Sequence, residues 1–241
     1  MSLLTICQAA LKGMSGFAVP STFYGNANLT ATLAVAVANE EGQDLEKEHR
    51  WQELISEYTF STVSGTATYA LPTSSSSGGA FRAFANMTQW DRTNTWRLTG
   101  PIPPSIYQYL KSGISVFSTS NSFFIIRGGY FTLYPTPTSV RTIAFDYYTK
   151  GWITKQTDST NISAWSSDSD TSRLDEDLIA AGVKWRFLQA KGMPFEPEYK
   201  RYESVKEMLI SDNGARGTIN MGRPIPLGDM GGNLPDSGFG S

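Results

Sequence analysis

The sequence predicts an α+β protein in which helices from both ends of the chain pack together and an antiparallel β sandwich or barrel is inserted between them. Three observations carry this reading. Apolar residues recur at helical spacing up to residue 57, alternate from Tyr58 onward, and return to helical spacing from Leu174. Phe123 to Ile126 and Tyr130 to Tyr134 are β-branched and aromatic runs separated by Arg127-Gly128-Gly129. Glycine accepts the positive φ angles of tight hairpins, so these two runs read as one. From Gly214 the chain is rich in Gly and Pro and cannot build a core of its own. The expected organisation is a discontinuous helical docking domain (1–57 and 173–213), a β domain (58–155), a linker (156–172) and an extended C-terminal arm (214–241).

Leu3 to Lys12 reads as a short amphipathic helix ended by Gly13, with Leu3, Leu4, Cys7, Ala10 and Leu11 near one stripe. Asn28 is a suitable N-cap for a helix from Leu29 to Asn39. After Gly42 a third helix is expected from Asp44 through Ile55, exposing Glu46, Lys47, Glu48, Arg50 and Glu53. Tyr58 to Val63 and Thr66 to Leu71 flank Ser64-Gly65, a second hairpin signal. Asn86 to Trp90 and Thr95 to Leu98 read as strands around the Asp91-Arg92-Thr93-Asn94 turn. Pro104 suits the first turn of a short helix, or an extended arm, over Pro103 to Lys111. Pro135 and Pro137 stop the strand from Tyr130, because proline cannot donate to the ladder. Arg141 to Tyr148 alternates Ile143, Phe145 and Tyr147 with Thr142, Ala144, Asp146 and Tyr148. Polar sequence from Gly151 to Ser172 leaves the β region. A helix then carries Leu174, Leu178, Ile179, Trp185 and Leu188, with Asp175, Glu176 and Asp177 in its first turn and Gly192 and Pro194 after it. A last helix runs from Pro197 to Asp212.

Net charge is −2, too small to name a partner, but it is unevenly spread. Residues 58–155 hold eight bases and two acids, residues 1–57 three and seven, and residues 174–213 six and eight. Ordinary surface charge, head-to-tail contact between copies, or a basic surface near nucleic acid would each produce a basic β region and acidic helices. Cys7 is the only cysteine, which excludes an intrachain disulfide. No run approaches the roughly 18 apolar residues of a membrane span. Leu3 to Leu11 lacks the charged leader of a signal peptide. The sequons at Asn28, Asn86 and Asn161 carry no weight without secretion. A protein kept inside a cell or particle is expected, with no membrane partner.

In order along the chain stand Asn-Glu-Glu-Gly at Asn39 to Gly42, Trp-Gln-x-Leu at Trp51 to Leu54, and Phe-x-Thr-Val-x-Gly-x-x-x-Tyr-x-Leu-Pro at Phe60 to Pro72. Trp90 to Thr93, Leu98 to Pro101, Tyr107 to Lys111, and Leu133-Tyr134-Pro135-x-Pro137 follow. Over residues 28 to 210 this series resembles the head-to-tail adaptors of short-tailed phages, the tail tubular protein A-like family. The departure is Ser74 to Ala80, where that family has a compact Asp-Phe turn. The resemblance implies a virion structural protein that is not an enzyme and needs no cofactor. It implies a ring, of twelve copies, between the portal protein and a tail tubular protein B-like nozzle, with double-stranded DNA passing through its centre.

Candidate chemistry is sparse. His49 is the sole histidine, on an expected helix face between Glu46 and Glu53, and one histidine with a carboxylate does not define a metal site. Cys7 has no histidine beside it to act as a base. Gly13-Met14-Ser15-Gly16 is not a nucleophile elbow, and no phosphate-binding glycine loop occurs. A glycosidase needs two facing carboxylates, and the β region offers Asp91, in a turn that aspartate commonly bonds, and Asp146. Trp90, Trp96, Tyr107, Tyr109, Phe124 and Tyr148 fit a β core or subunit interface better than a stacking platform for sugars or bases. That platform, with hydrolytic or carbohydrate-binding function in a tail component, is the alternative. Candidate portal or subunit contacts are Ile219, Met221, Arg223, Pro224, Ile225, Pro226 and Leu227 of the arm. Candidate channel or interface bases are Arg127, Arg141 and Lys150.

Overall fold

The structure, a computed structural model, describes residues 2–12, 14, 16–85, 87–112 and 122–213. These fall into two compact units: a helical one of residues 2–56, 72–83 and 148–213, and a β one of residues 57–71 and 84–147. The helices are α1 (Leu3–Leu11), α2 (Leu29–Glu48), α3 (Pro104–Lys111), α4 (Glu176–Ala190) and α5 (Glu196–Asn213). The strands are β1 (Ile55–Ser61), β2 (Thr68–Ala70), β3 (Phe81–Phe84), β4 (Trp90–Asp91), β5 (Trp96–Arg97), β6 (Phe123–Arg127), β7 (Tyr130–Tyr134), β8 (Thr142–Thr149), β9 (Ile153–Thr154), β10 (Asn161–Ile162) and β11 (Thr171–Ser172). The α+β class is as expected.

In the helical unit α4 is the centre: α1, α2 and α5 all pack on it. Asn28 and Asp175 cap α2 and α4 by accepting from the Thr30 and Leu178 amides, each at 2.9 Å. Leu3, Ile6, Leu11, Ala34, Leu45, Ile179, Val183 and Phe187 form one buried cluster with Trp152 and Trp165. The expected break at Gly42 is absent, and α2 runs through it for 20 residues. A Cβ at Gly42 would lie 2.2 Å from the Trp152 ring, so this glycine gives clearance to a neighbour and does not end a helix. The helix stops at Glu48 instead, and Gln52–Leu54 forms a short 3₁₀ turn before β1.

That helix end is closed by side chains. The Trp51 indole donates to the Leu45 carbonyl at 2.7 Å, and the Arg82 guanidinium donates to the Glu46, Lys47 and His49 carbonyls. A cation over the terminal carbonyls also matches the negative end of the helix dipole. Glu46, expected on an exposed face, is buried with Arg82 Nε 3.1 Å from its Oε1, a charge contact short of hydrogen-bond geometry. His49 lies outside the helix and packs edge-on against the Trp51 ring.

The polar stretch expected as a connection carries β10 and β11, which pair with β9 on either side. Two aspartates organise it. Asp170 accepts from the Gln156 and Ser166 amides and the Ser166 hydroxyl, and Asp168 accepts from the Phe23 and Tyr24 amides.

The β unit is a sandwich of open sheets and not a closed barrel. One sheet has the order β1-β8-β4-β5, with β3 also pairing β8, and the other β2-β7-β6. Phe84 and Phe145 of the first meet Phe124 and Phe131 of the second, with the Phe131 and Phe145 rings stacked at 5.7 Å. The Gly128-Gly129 hairpin forms as expected, with both glycines at positive φ. So does the paired turn of β4 and β5. The expected hairpin of residues 58–71 does not form. Its turn is present, with the Thr66 amide donating to Val63 at 3.1 Å, but β1 joins the first sheet and β2 pairs with β7 in the second. The Tyr69 hydroxyl bridges the corner by donating to Thr66 at 2.6 Å and accepting from the Val63 amide at 3.0 Å. Each strand finds a longer partner this way, and Phe60 still meets Tyr69 and Phe131. The segment from Pro104 is helical, with Tyr107 and Leu110 buried against Ile102 and Ile125.

Candidate functional site

The acidic surplus of the helices is partly consumed inside the helical unit. Glu41 is fully buried and takes Arg186 Nε on Oε2 at 2.6 Å, while the same guanidinium reaches Asp44 at 2.8 Å and Glu40 at 2.9 Å. The Tyr202 hydroxyl also interacts with the Glu41 carboxyl, whose second oxygen lacks a well-formed hydrogen bond. Burial raises the Glu41 pKa, and the tyrosine and arginine oppose that shift. This is an internal brace. A separate cavity of about 560 Å³ carries Glu53, Asp175, Glu176, Asp177 and Asp212 on its lining, yet no group of metal ligands occurs among the described residues.

Cys7 is buried on α1, and its thiol is pushed up to about 12, first by burial and then by the Asp168 charge. Below pH 9 it is neutral folded or unfolded; between pH 9 and 12 only the unfolded thiol ionises, so stability falls as pH rises there. A thiol reagent at pH 8 is therefore expected to leave the folded protein unlabelled and to label it fully in denaturant. Rapid labelling of the folded chain would contradict this environment. Asp168 holds the segment before α2 through the Phe23 and Tyr24 amides. Asp168→Ala leaves those donors unmatched and is expected to cost about 1–3 kcal/mol in denaturant unfolding.

In the β unit Asp91 is fully buried and accepts from the Thr93 and Asn94 amides and the Asn94 side chain, which is the turn role expected for it. Arg141 is spent on it: Nη1 lies 3.7 Å from Asp91 and donates to the Ser122 hydroxyl at 3.4 Å. It is an internal ligand of the sandwich and not an outward base. Arg127 is exposed at the tip of the β6–β7 hairpin, and Lys150 is exposed in the helical unit beside a cavity lined by Ala80 and Asn161. The arm residues Ile219, Met221, Arg223, Pro224, Ile225, Pro226 and Leu227 lie outside the described residues.

The six candidate aromatics do not assemble into a platform. Tyr107 and Phe124 are core, Tyr109 is exposed, and Tyr148 belongs to the helical unit, beneath Arg50 at 5.9 Å. Trp90 lines a cleft, of about 520 Å³, with Glu57, Met87, Thr88, Arg92 and Asp146 among its walls. Glu57 forms an ion pair with Arg92. Burial, and then the Glu57 charge, raises the Asp146 pKa. Sequence reasoning had Asp146 but missed Glu57, which sits at the last position before the expected strand. Its place opposite Asp146 follows only from the sheet order of β1 beside β8.

No helix among the described residues is long and apolar enough to cross a membrane. No curated protein matches the chain. The model of the SU10 adaptor protein family matches residues 1–219, a span that includes both units as described, so the chain belongs to the SU10 adaptor protein family and is a structural adaptor of a phage virion.

Proposed function

We propose that the protein is the head-to-tail adaptor of a short-tailed phage, closing into a ring of twelve copies between the portal protein and the tail nozzle. The family match over residues 1–219 carries this reading. The structure supports it by what it offers at the surface. Exposed apolar side chains are spread over the surface: Leu29 and Met208 in the helical unit, Ile106 and Tyr109 on α3, and Ile126 and Tyr130 on the hairpin, among others. Apolar side chains spread in this way suit repeated modest interfaces closed by cyclic symmetry, in which the sum of contacts holds the assembly. The helices dock on the portal and the β unit faces the nozzle or the outside of the ring. The arm orders along the portal or a neighbouring copy. Double-stranded DNA passes through the channel, and of the three candidate bases Arg127 and Lys150 are exposed and available to it or to a neighbour.

The mass of the full chain, alone and mixed with portal rings, tests the proposal. Saturating uptake onto the portal as one ring is expected. A chain that stays at 26.4 kDa and ignores the portal would remove it.

The Trp90 cleft favours a second reading, a carbohydrate-binding tail component. Against hydrolysis, Glu57 is already paired with Arg92, which leaves Asp146 without a second free carboxylate in the cleft. A change in tryptophan fluorescence on adding host polysaccharide, together with no portal binding, would shift the assignment to it.

A further inference from the structure

The hairpin tip and the Trp90 cleft have matching chemistry. Residues 126–130 are all exposed, and the open space around Gly128 and Gly129 shows that the tip stands clear of the other described residues. Arg127 and its cross-strand neighbour Tyr130 therefore project from one face of the tip, and Ile126, also exposed, from the other. The two-residue turn fixes this knob, since Arg127 pairs directly with Tyr130 in the ladder. A tip already folded into a hairpin brings a set register to a partner, which lowers the ordering cost of docking.

The cleft is the converse. Its floor is apolar, formed by Trp90, Ala144 and Phe145, and Met87 is two-thirds exposed at its side at a φ of 64°. Asp146 lies in this cleft, and no described residue donates a hydrogen bond to its carboxylate. Burial and then the Glu57 charge raise the Asp146 pKa, while Arg92, which opposes that shift, forms its own ion pair with Glu57. A volume of about 520 Å³ is of the size that holds compact ligands.

We propose that the Ile126–Tyr130 hairpin tip of one copy inserts into the Trp90 cleft of the next, with Arg127 pairing Asp146 and with Ile126 and Tyr130 packing on Trp90 and Met87. No tip residue lines the cleft of its own chain. Knob and socket are thus different surfaces of one molecule, so the contact is head-to-tail, the kind that closes into rings or runs on as filaments. The proposal deepens the ring reading and rests on it. The charge pattern agrees: Arg127 is a base of the basic segment, and the socket holds Asp146, one of the two acids of residues 58–155.

The test uses three full-length variants: Arg127→Glu, Asp146→Lys and the double variant. Assembly is read as mass by sedimentation, alone and on portal rings, after circular dichroism has established that each is folded. Each single variant is expected to assemble at least about tenfold more weakly, because like charges then meet across the contact. Equimolar mixing of the two singles is expected to restore assembly. In an alternating ring every tip carrying Arg127→Glu then meets a socket carrying Asp146→Lys, and every unaltered tip meets an unaltered socket. The double variant should also assemble alone. Rescue that stops at dimers would overturn the head-to-tail arrangement, since a two-fold contact closes at two. Single variants that assemble like the wild type, or a mixture that never recovers, would overturn the contact itself while leaving the ring reading intact. Only failure of the wild-type chain to assemble, alone and on portal, would count against the ring. Single variants that still assemble but lose a polysaccharide-dependent fluorescence change would make the cleft a sugar site and sink the proposal.

Discussion

Arg186→Met is expected to destabilise the protein by about 3–5 kcal/mol at neutral pH, the range seen when one partner of a buried pair is removed. The side chain holds three carboxylates, but Glu41 decides the size of the effect. Glu40 and Asp44 are half exposed or more and recover water, whereas Glu41 is fully buried between α2 and α4. Gly182 closes the other side, for a Cβ there would lie 2.3 Å from the Glu41 carboxyl carbon, so solvent has no route in from that side. The sign of the pH dependence follows. Burial raises the Glu41 pKa in the folded state, so the folded protein keeps a proton that the unfolded chain releases above its ordinary pKa of 4.5. Stability therefore falls as pH rises from 4.5 through the folded-state value. Without Arg186 that value moves higher and the fall extends further. The deficit of the variant should thus be largest near neutrality and shrink toward the acid end of this range. Denaturant unfolding at several pH values measures this, and a deficit independent of pH would refute the role of Glu41. The double variant Glu41→Leu with Arg186→Met should regain most of the loss, because paired apolar replacements remove both desolvation costs.

Trp152→Ala is the other large effect, about 3–5 kcal/mol, from lost burial and the cavity left behind. Trp152 is the largest fully buried side chain, packs edge-on to Trp165 at 5.3 Å, and donates to the Ser163 carbonyl at 3.1 Å. Its ring fills the space that Gly42 leaves open on α2. Gly42→Ala tests the same fit from the other side. Alanine is the better helix former by about 1 kcal/mol, so an isolated helix would gain. Here a loss of about 1–3 kcal/mol is expected, because the ring and the helix must separate. Gly42→Ala in the Trp152→Ala background should recover the helical gain, and a loss persisting there would refute the account.

Elements whose signal is local were legible in the sequence. The Gly128-Gly129 hairpin, the cap at Asn28, the Asp91 turn and the start of α3 at Pro104 each depend on residues within a few positions. What was missed depends on distant partners. Gly42 reads as a break until Trp152, far along the chain, is placed against it. Glu46 reads as a solvated charge until Arg82 covers it. Tyr58 to Leu71 has every local mark of a hairpin, and only β7 and β8 reveal that its strands belong to different sheets. The candidate site shows the same limit. Arg127 was singled out as a base, but Arg141 could not be separated from it without Asp91 beside it. The cleft of Glu57, Trp90 and Asp146 draws on three stretches of chain that no spacing connects.

The helical unit also has a history in time. Its central helix α4 ends at Ala190, whereas α1 and α2 are complete by Glu48. At about 5–20 residues per second of synthesis, the apolar faces of α1 and α2 wait roughly 7–30 s for the helix that covers them. The strands of the sandwich are all made by Thr149, so the β unit has its full complement while the helices are still unmatched. Released chains ending between residues 150 and 175 should therefore hold a protease-resistant β unit behind an exposed, aggregation-prone N-terminus, the form in which a chain of this protein most needs a chaperone.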